Sequence, residues 1–149
     1  MKIQKLVPED FQRVFEMMKV FYASDALLVH PDDETLRTTL GCAVEDGPYL
    51  TGYGFWEGEE LTGYGMVTRS FSTETGGICV WIEDIYILPE YRGKGFGTAF
   101  LRFVEEQYRH SAVRIRLEAE PENERAMAVY QKAGFQILGY TQLVKELRK

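Results

Sequence analysis

Apolar and polar positions follow two different periods along the chain, which together predict a protein of mixed α and β structure. Lys2 to Val7 is typical of a short first strand, and Pro8-Glu9-Asp10 supplies the proline and acidic residues that favour a helix start. The next segment carries an apolar stripe at intervals of three and four residues, which predicts a helix with one buried face. The residues of this stripe are Phe11, Val14, Phe15, Met18, Phe21 and Tyr22.

The central part of the chain predicts a second helix followed by an antiparallel hairpin. The helix begins near Asp32 or Asp33 and ends before Gly47-Pro48. Tyr49 to Trp56 and Leu61 to Ser72 are rich in aromatic and β-branched residues, and the residues between them are typical of a turn.

The second half of the chain predicts the order β-α-β-α-β. Ile78 to Leu88 is nearly all apolar, which suits a central strand that is covered on both faces. Apolar spacing and turn residues then predict four more elements. They are a helix from Phe96 to His110, a strand from Val113 to Ala119, a helix from Pro121 to Ala133, and a last strand or hairpin from Phe135 to Leu147.

Length and composition restrict the classes of protein that this chain can belong to. With 149 residues, 45% of them hydrophobic, we expect one domain over residues 1–149 that buries a core, and we expect no membrane span. The net charge of −6 argues against a broad nucleic-acid-binding surface, because binding to phosphates is mostly electrostatic. The chain has only two histidines and two separate cysteines, Cys42 and Cys79, which argues against structural zinc. The isolated cysteines also favour a reduced, cytoplasmic protein.

The acidic residues are unevenly distributed along the chain. Residues 31–60 contain eight acidic residues and one basic residue, Arg37. The ordinary explanation of such a charge run is a solvated helix end followed by an acidic turn. The alternative explanation is an electrostatic field that attracts a cationic substrate.

The most specific motif is the segment Tyr91-Arg92-Gly93-Lys94-Gly95-Phe96-Gly97-Thr98, between the predicted central strand and a predicted helix. Glycines let an anion approach the backbone, a helix N-terminus offers unpaired N–H groups, and the two cations add charge. We call Gly93 to Thr98 the glycine turn. Its spacing matches neither the dinucleotide fingerprint nor the P-loop, because threonine occupies position 98 and glycine follows Lys94. A tight turn without a ligand is the alternative.

The hexapeptide Arg92 to Gly97 resembles the Q/R-x-x-G-x-G/A signature of the GNAT family of acetyl-coenzyme A-dependent N-acetyltransferases. The similarity extends from about Ile78 to Tyr140 and includes the order Asn123, Ala126, Tyr130 and Gly134-Phe135. This resemblance implies the acyl-CoA N-acyltransferase fold. That fold is α/β, of the α+β type, with a mixed, mostly antiparallel central sheet of six to seven strands flanked by about four helices.

The resemblance also implies where acetyl-coenzyme A, as the cosubstrate, would bind. Its pyrophosphate would lie on the backbone N–H groups of the glycine turn, and its pantetheine arm would pair with the central strand as an added strand does. The implied cofactor-binding residues are Ile85, Tyr86, Ile87, Arg92, Gly93, Lys94, Gly95, Phe96, Gly97, Thr98 and Asn123. Asn123 can equally serve only as a helix cap.

Acetylation of an amine needs both a proton acceptor and a proton donor. An alkyl amine is almost fully protonated at neutral pH, so a carboxylate that removes its proton assists attack on the thioester. We expect Glu83 to be this base and not Asp84, since consecutive strand residues point to opposite faces unless a bulge intervenes. The resemblance implies Tyr130 as general acid for the leaving thiolate, and the N–H near Ile85 would donate to the oxyanion. The ordinary alternatives are a solvated carboxylate pair and a core aromatic residue.

We therefore expect an enzyme that transfers an acetyl group directly to a primary amine of a small molecule, without a metal. The Glu83-Asp84 pair resembles the pair in the spermidine/spermine acetyltransferase branch. Two alternatives stay open, a protein or peptide N-acetyltransferase and a non-catalytic acyl-coenzyme A-binding module. We expect no nucleic acid or membrane partner and allow for a homodimer.

Overall fold

Five strands and four α-helices are present in the computed structural model, which describes residues 1–148. The strands are β1 (Lys2–Lys5), β2 (Leu50–Glu57), β3 (Glu60–Ser72), β4 (Gly77–Ile87) and β5 (Arg114–Leu117). The helices are α1 (Phe11–Tyr22), α2 (Asp33–Val44), α3 (Phe96–Tyr108) and α4 (Glu124–Lys132). The four helices predicted from the sequence are therefore confirmed, with ends that differ by a few residues.

The strands form one mixed sheet in the order β1-β2-β3-β4-β5. Neighbours from β1 to β4 are antiparallel, and β5 pairs with β4 in parallel. The predicted hairpin is confirmed, because β2 and β3 pair directly and Gly58 between them has a left-handed φ of 58° that suits glycine. The mixed, mostly antiparallel architecture predicted from the sequence is confirmed as well.

Two apolar clusters attach the helices to opposite faces of the sheet. Side chains alternate between the faces along a strand, and the consecutive β3 residues Met66 and Val67 accordingly belong to different clusters. The helix residues buried on the first face include Val14, Met18, Leu36 and Leu40 from α1 and α2, and those on the second face include Phe100, Leu101 and Val104 from α3.

None of the helices in residues 1–148 has both the length and the apolar character that crossing a membrane requires.

The predicted last strand or hairpin from Phe135 to Leu147 is wrong, and the sheet has five strands instead of six to seven. The chain leaves α4 at Gly134 and forms no regular element in residues 135–148. Leu143 is 95% exposed and Leu147 is 92% exposed. Apolar residues give a segment the tendency to bury one face, but a strand forms only beside a paired neighbour, which this segment lacks within the described chain.

Candidate functional site

The glycine turn between β4 and α3 is open to solvent. Gly93 and Gly95 have φ values of 75° and 84°, in the left-handed region that favours glycine. Gly95 is the N-cap of α3 and has no side chain, so no side-chain cap satisfies the N–H groups of the first helical turn. A Cβ atom at Gly95 would meet no other atom within 4 Å. The turn therefore has the space and the donors that a phosphate group needs.

Two predicted cations, Arg92 before this turn and Lys94 within it, add positive charge. Arg92 donates from Nε to the carbonyl oxygen of Ile87 at 2.8 Å, and its guanidinium carbon lies 5.5 Å from the ring centroid of Tyr86. The amino group of Lys94 lies 5.0 Å from the ring centroid of Tyr91. The side chains of Arg92 and Lys94 are exposed, so both can turn toward an anion, whereas that of Tyr86 is buried.

Helix α4 brings a third cation that the sequence did not predict. A guanidinium nitrogen of Arg125 lies 3.5 Å from the position that a Cβ atom on Gly93 would occupy. The side-chain oxygen of Asn123 accepts a hydrogen bond from the N–H of Ala126 at 3.2 Å, so Asn123 caps this helix. No motif marks Arg125, because only the packing of α4 brings it beside the turn.

An unpaired strand edge lies next to the glycine turn. The parallel pairing of β4 with β5 ends at Ile82, so within the described chain the rest of β4 pairs with β3 alone. The N–H of Leu88 donates to the carbonyl of Thr62 on β3 at 2.8 Å. Backbone groups alternate in direction along a strand, so Ile85 and Ile87 direct their N–H and C=O groups away from β3. This edge can pair with an extended chain.

A β-bulge in β4 places Glu83 and Asp84 on the same face of the sheet. The register between β3 and β4 shifts between Met66 and Val67, and Glu83 is the extra residue of β4. Glu83 accepts a hydrogen bond from the hydroxyl of Thr68 at 2.7 Å, and Thr68 shares its face with Met66, two residues earlier. Of the two arrangements considered from the sequence, the structure has the bulged one, and both carboxylates face the side of α1.

Asp84 is buried beneath the end of α1, with only 4% of the residue exposed. It accepts hydrogen bonds from the hydroxyl groups of Tyr22, at 2.6 Å, and Tyr64, at 3.2 Å. Burial raises the pKa of Asp84 to about 6, the two tyrosine hydroxyls act in the opposite direction, and the charge of Glu83 adds to the rise. The sequence did not predict these partners, because the apolar periodicity accounted for the ring of Tyr22 and not for its hydroxyl.

Tyr130 on α4 packs into the apolar cluster on the α3 side of the sheet. The partly buried members of this cluster also include Ile85 and Ile87 of the unpaired edge. Its ring meets the edge of Phe135 with centroids 6.2 Å apart. Burial raises the pKa of the Tyr130 hydroxyl above its usual value, so the group stays protonated at neutral pH. Tyr130 and Trp81 both line a cavity of about 500 Å³ along β5.

Four of the eight acidic side chains in residues 31–60 have hydrogen-bond or ion-pair partners within residues 1–148. Such contacts favour the ordinary explanation of the charge run over a field directed at a substrate. The contacts are Asp32 with the N–H of Thr35, Asp46 with Lys5, Glu57 with the N-terminal amine and Glu60 with the hydroxyl of Tyr91.

Among residues 1–148, no group of three potential metal ligands comes together.

Comparison with known proteins identifies related sequences. The model of the acetyltransferase (GNAT) family matches residues 11–135. The chain is similar to a thialysine N-epsilon-acetyltransferase of Bos taurus, with 37% identity over 90 residues that cover 60% of this chain and 52% of that protein. The chain thus spans about half the length of the curated relatives that it matches first.

Solved structures share the fold over nearly the whole chain. A structure described as a possible acetyltransferase from Clostridium difficile 630 superimposes with a TM-score of 0.86 at 19% identity, covering 99% of this chain and 98% of that one. The structure of AAC(6')-Iy in complex with the bisubstrate analog CoA-S-monomethyl-acetylneamine gives a TM-score of 0.79 at 15% identity, with 97% of each chain covered. At such identities the likeness shows the fold.

Proposed function

The chain belongs to the acetyltransferase (GNAT) family, and we propose that it transfers an acetyl group from acetyl-coenzyme A to a primary amine of a small molecule. The observation that carries this proposal is the open glycine turn beside the unpaired edge of β4. At the other end of that edge, the bulge presents two carboxylates on one face. A proton acceptor, an extended-chain site and a phosphate site therefore follow one another along the sixteen residues from Glu83 to Thr98.

The residues of this site fit coenzyme A, which supplies the acetyl thioester when bound. The left-handed glycines and the uncapped first turn of α3 suit the pyrophosphate, with Arg92, Lys94 and Arg125 adding positive charge. The N–H and C=O groups of Ile85 and the N–H of Ile87 suit the amides of the pantetheine arm, whereas the carbonyl of Ile87 already accepts from Arg92. A contact of Asn123 with the cofactor stays a prediction, and its side-chain NH2 group can donate to the cofactor while the oxygen caps α4.

Glu83 is the proposed acceptor of the amine proton. The Thr68 hydroxyl donates to one carboxylate oxygen and so orients the side chain, which leaves the second oxygen for an ammonium group. Glu83 is exposed and accessible to a substrate, whereas Asp84 is buried. We assign Asp84 the role of a second negative charge that favours a cationic amine at this point.

Tyr130 is the proposed general acid. During the reaction Glu83 takes one proton from the ammonium group, and the neutral amine attacks the thioester carbon to form the new C–N bond. As the C–S bond breaks, the departing thiolate takes a proton from the Tyr130 hydroxyl, and the second proton of the nitrogen passes through water to restore that hydroxyl. Burial raises the pKa of this hydroxyl, so it remains a donor at neutral pH. The backbone N–H of Ile85, which points away from β3, is the proposed donor to the carbonyl oxygen as negative charge develops on it.

The names of the relatives support a small amine as acceptor. One is a thialysine N-epsilon-acetyltransferase, and a structural neighbour was solved with a coenzyme A analog joined to acetylneamine. A cytoplasmic location, a single domain over residues 1–149 and a homodimer stay predictions from the sequence.

An acceptor screen tests this function. Acetyl-coenzyme A would be offered with polyamines, amino acids, aminoglycosides or peptide N-termini, and the release of free thiol would be measured. We expect release with at least one class of small amine. Release with peptides alone would favour the protein N-acetyltransferase alternative. Saturable binding of acetyl-coenzyme A in calorimetry without release in any mixture would favour the binding module.

A further inference from the structure

The cavity along β5 contains a cation that the proposed chemistry does not use. The guanidinium carbon of Arg116 lies 4.3 Å from the ring centroid of Trp81, so the two groups are in cation–π contact. Both residues line the cavity of about 500 Å³ that Tyr130 also lines. A guanidinium group held over an aromatic ring keeps its N–H donors in a planar fork, which matches the two oxygens of a carboxylate.

No acidic side chain within residues 1–148 forms an ion pair with Arg116. The neighbouring Arg114 is paired, since it donates to Glu74 at 2.8 Å. The second carboxylate oxygen of Glu74 accepts from the hydroxyl of Tyr140 at 2.6 Å. Arg116 is thus a half-buried positive charge whose neighbour Glu74 already has two partners. Within the described part of the chain, the one acidic residue that lines the cavity, Glu118, is exposed and forms no ion pair with Arg116.

The register of the sheet places this cation close to the two carboxylates of the bulge. Arg116 is the ladder partner of Trp81, and Glu83 follows Trp81 by two residues on the same face. Ideal strand geometry, with strands about 4.8 Å apart and a rise of about 3.3 Å per residue, gives a separation of about 8 Å between the Cα atoms of two such positions. The site therefore has an anionic end at Glu83 and a cationic end at Arg116.

We propose that Arg116, supported by Trp81, binds a carboxylate of the acceptor, so that the enzyme prefers amines that carry a carboxylate, namely amino acids, over polyamines. This inference rests on the proposed function, which places the amine of the acceptor at Glu83. A polyamine would instead bring a second positive charge toward Arg116, and repulsion between like charges would weaken its binding.

The test compares acceptors that differ only in the carboxylate. Amino acids and their carboxamides, beginning with lysine and lysinamide, would be assayed with the wild-type protein and with Arg116→Gln. We expect the variant to lose about tenfold or more in kcat/KM for the amino acid, mainly through KM, and to keep its kcat/KM for the carboxamide. Arg102→Gln, on the exposed face of α3, is the matched control and should leave both values unchanged. An equal effect of Arg116→Gln on both acceptors would overturn the carboxylate site.

Calorimetry separates a failure of this site from a failure of the transfer reaction. Lysine and lysinamide would be titrated into the protein saturated with coenzyme A, for the wild type and for Arg116→Gln. Binding of lysine that depends on Arg116, without thiol release from any amine, would support the carboxylate site and overturn the proposed transfer. Thiol release from amines with no dependence on Arg116 in either measurement would support the transfer and overturn the carboxylate site.

Discussion

The hydroxyl of Tyr22 donates a hydrogen bond to a carboxylate oxygen of Asp84 at 2.6 Å, and this contact joins the end of α1 to the bulge of the central strand. The groups that face Asp84 come from three elements. They are Tyr22 of α1, Tyr64 of β3 and Glu83 of β4 itself. The protonation of Asp84 therefore reports on the packing of α1 against the site.

Removal of the Tyr22 hydroxyl should shift the pH dependence of the reaction. This hydroxyl stabilises the ionised form of Asp84, so Tyr22→Phe should raise the pKa of Asp84 above about 6, by up to about one unit. The acid limb of the kcat/KM profile should move to higher pH by the same amount, because the ionised form of Asp84 favours binding of the cationic amine. Tyr64→Phe removes the longer hydrogen bond and should give a smaller shift in the same direction. If neither variant moves the limb, the charge of Asp84 does not contribute to acceptor binding.

Asp84→Asn should stabilise the protein at high pH and not at low pH. Burial raises the pKa of this carboxyl from 3.8 to about 6 on folding, so the native state favours the protonated form. The stability that protonated Asp84 contributes is complete below its unfolded-state pKa and is lost as the pH rises through about 6. The neutral amide can still accept the hydrogen bond of Tyr22, so the variant should gain up to about 3 kcal/mol in the free energy of unfolding above that pH.

Urea unfolding at acidic and alkaline pH measures this difference. The exposed Glu105 of α3 offers a control, since Glu105→Gln should leave the free energy of unfolding nearly unchanged at both pH values. A gain for Asp84→Asn that is the same at both pH values would show that the effect comes from packing and not from the charge.

A side chain at Gly95 should abolish binding of acetyl-coenzyme A. Gly95→Val would place two methyl groups over the first turn of α3, where the phosphate oxygens need access to the N–H groups. The left-handed φ would also cost about 1–2 kcal/mol of stability. Gly76→Val is the matched control, since Gly76 has a φ of 70° and open space in the remote β3–β4 turn. Calorimetry should show lost binding for the first variant and an unchanged Kd for the second. Equal Kd values in both variants would refute the phosphate site.

Tyr130→Phe should slow turnover and leave cofactor affinity nearly intact. The variant keeps the ring that packs against Phe135 and removes only the proposed proton donor. General acid catalysis typically contributes a factor of at least about a hundred, so kcat should fall by that order. Tyr49→Phe, at a residue that is 77% exposed, should retain the wild-type rate. A full rate in Tyr130→Phe would mean that water or another group protonates the thiolate.

The sequence predicts those parts of the fold and the site that depend on contiguous residues. Apolar spacing predicts the four helices. The eight contiguous residues Tyr91 to Thr98, with their glycines and two cations, predict the glycine turn. The last predicted strand failed because its apolar residues say nothing about which strand they would pair with.

Other features of the site depend on register and tertiary packing. A shift of one residue between β3 and β4 brings Asp84 to the same face as Glu83, and the apolar period does not reveal such a shift. Arg116 meets Trp81 only because β5 is parallel to β4 in this register. Arg125 approaches the glycine turn only through the placement of α4.

Replacement of Glu83 should give a loss of activity that depends on pH. Glu83→Gln keeps the shape of the side chain and a possible hydrogen bond with Thr68 but cannot accept the amine proton, so kcat/KM at neutral pH should fall about a hundredfold. At alkaline pH a larger fraction of the amine is already neutral, so part of the activity should return. Kinetics across neutral and alkaline pH, with acetyl-coenzyme A saturating, measure both effects. Thr68→Val keeps the carboxylate and should lose less activity, without the alkaline recovery. A loss in Glu83→Gln that is independent of pH would show that Glu83 is not the base, which would leave water to accept the proton.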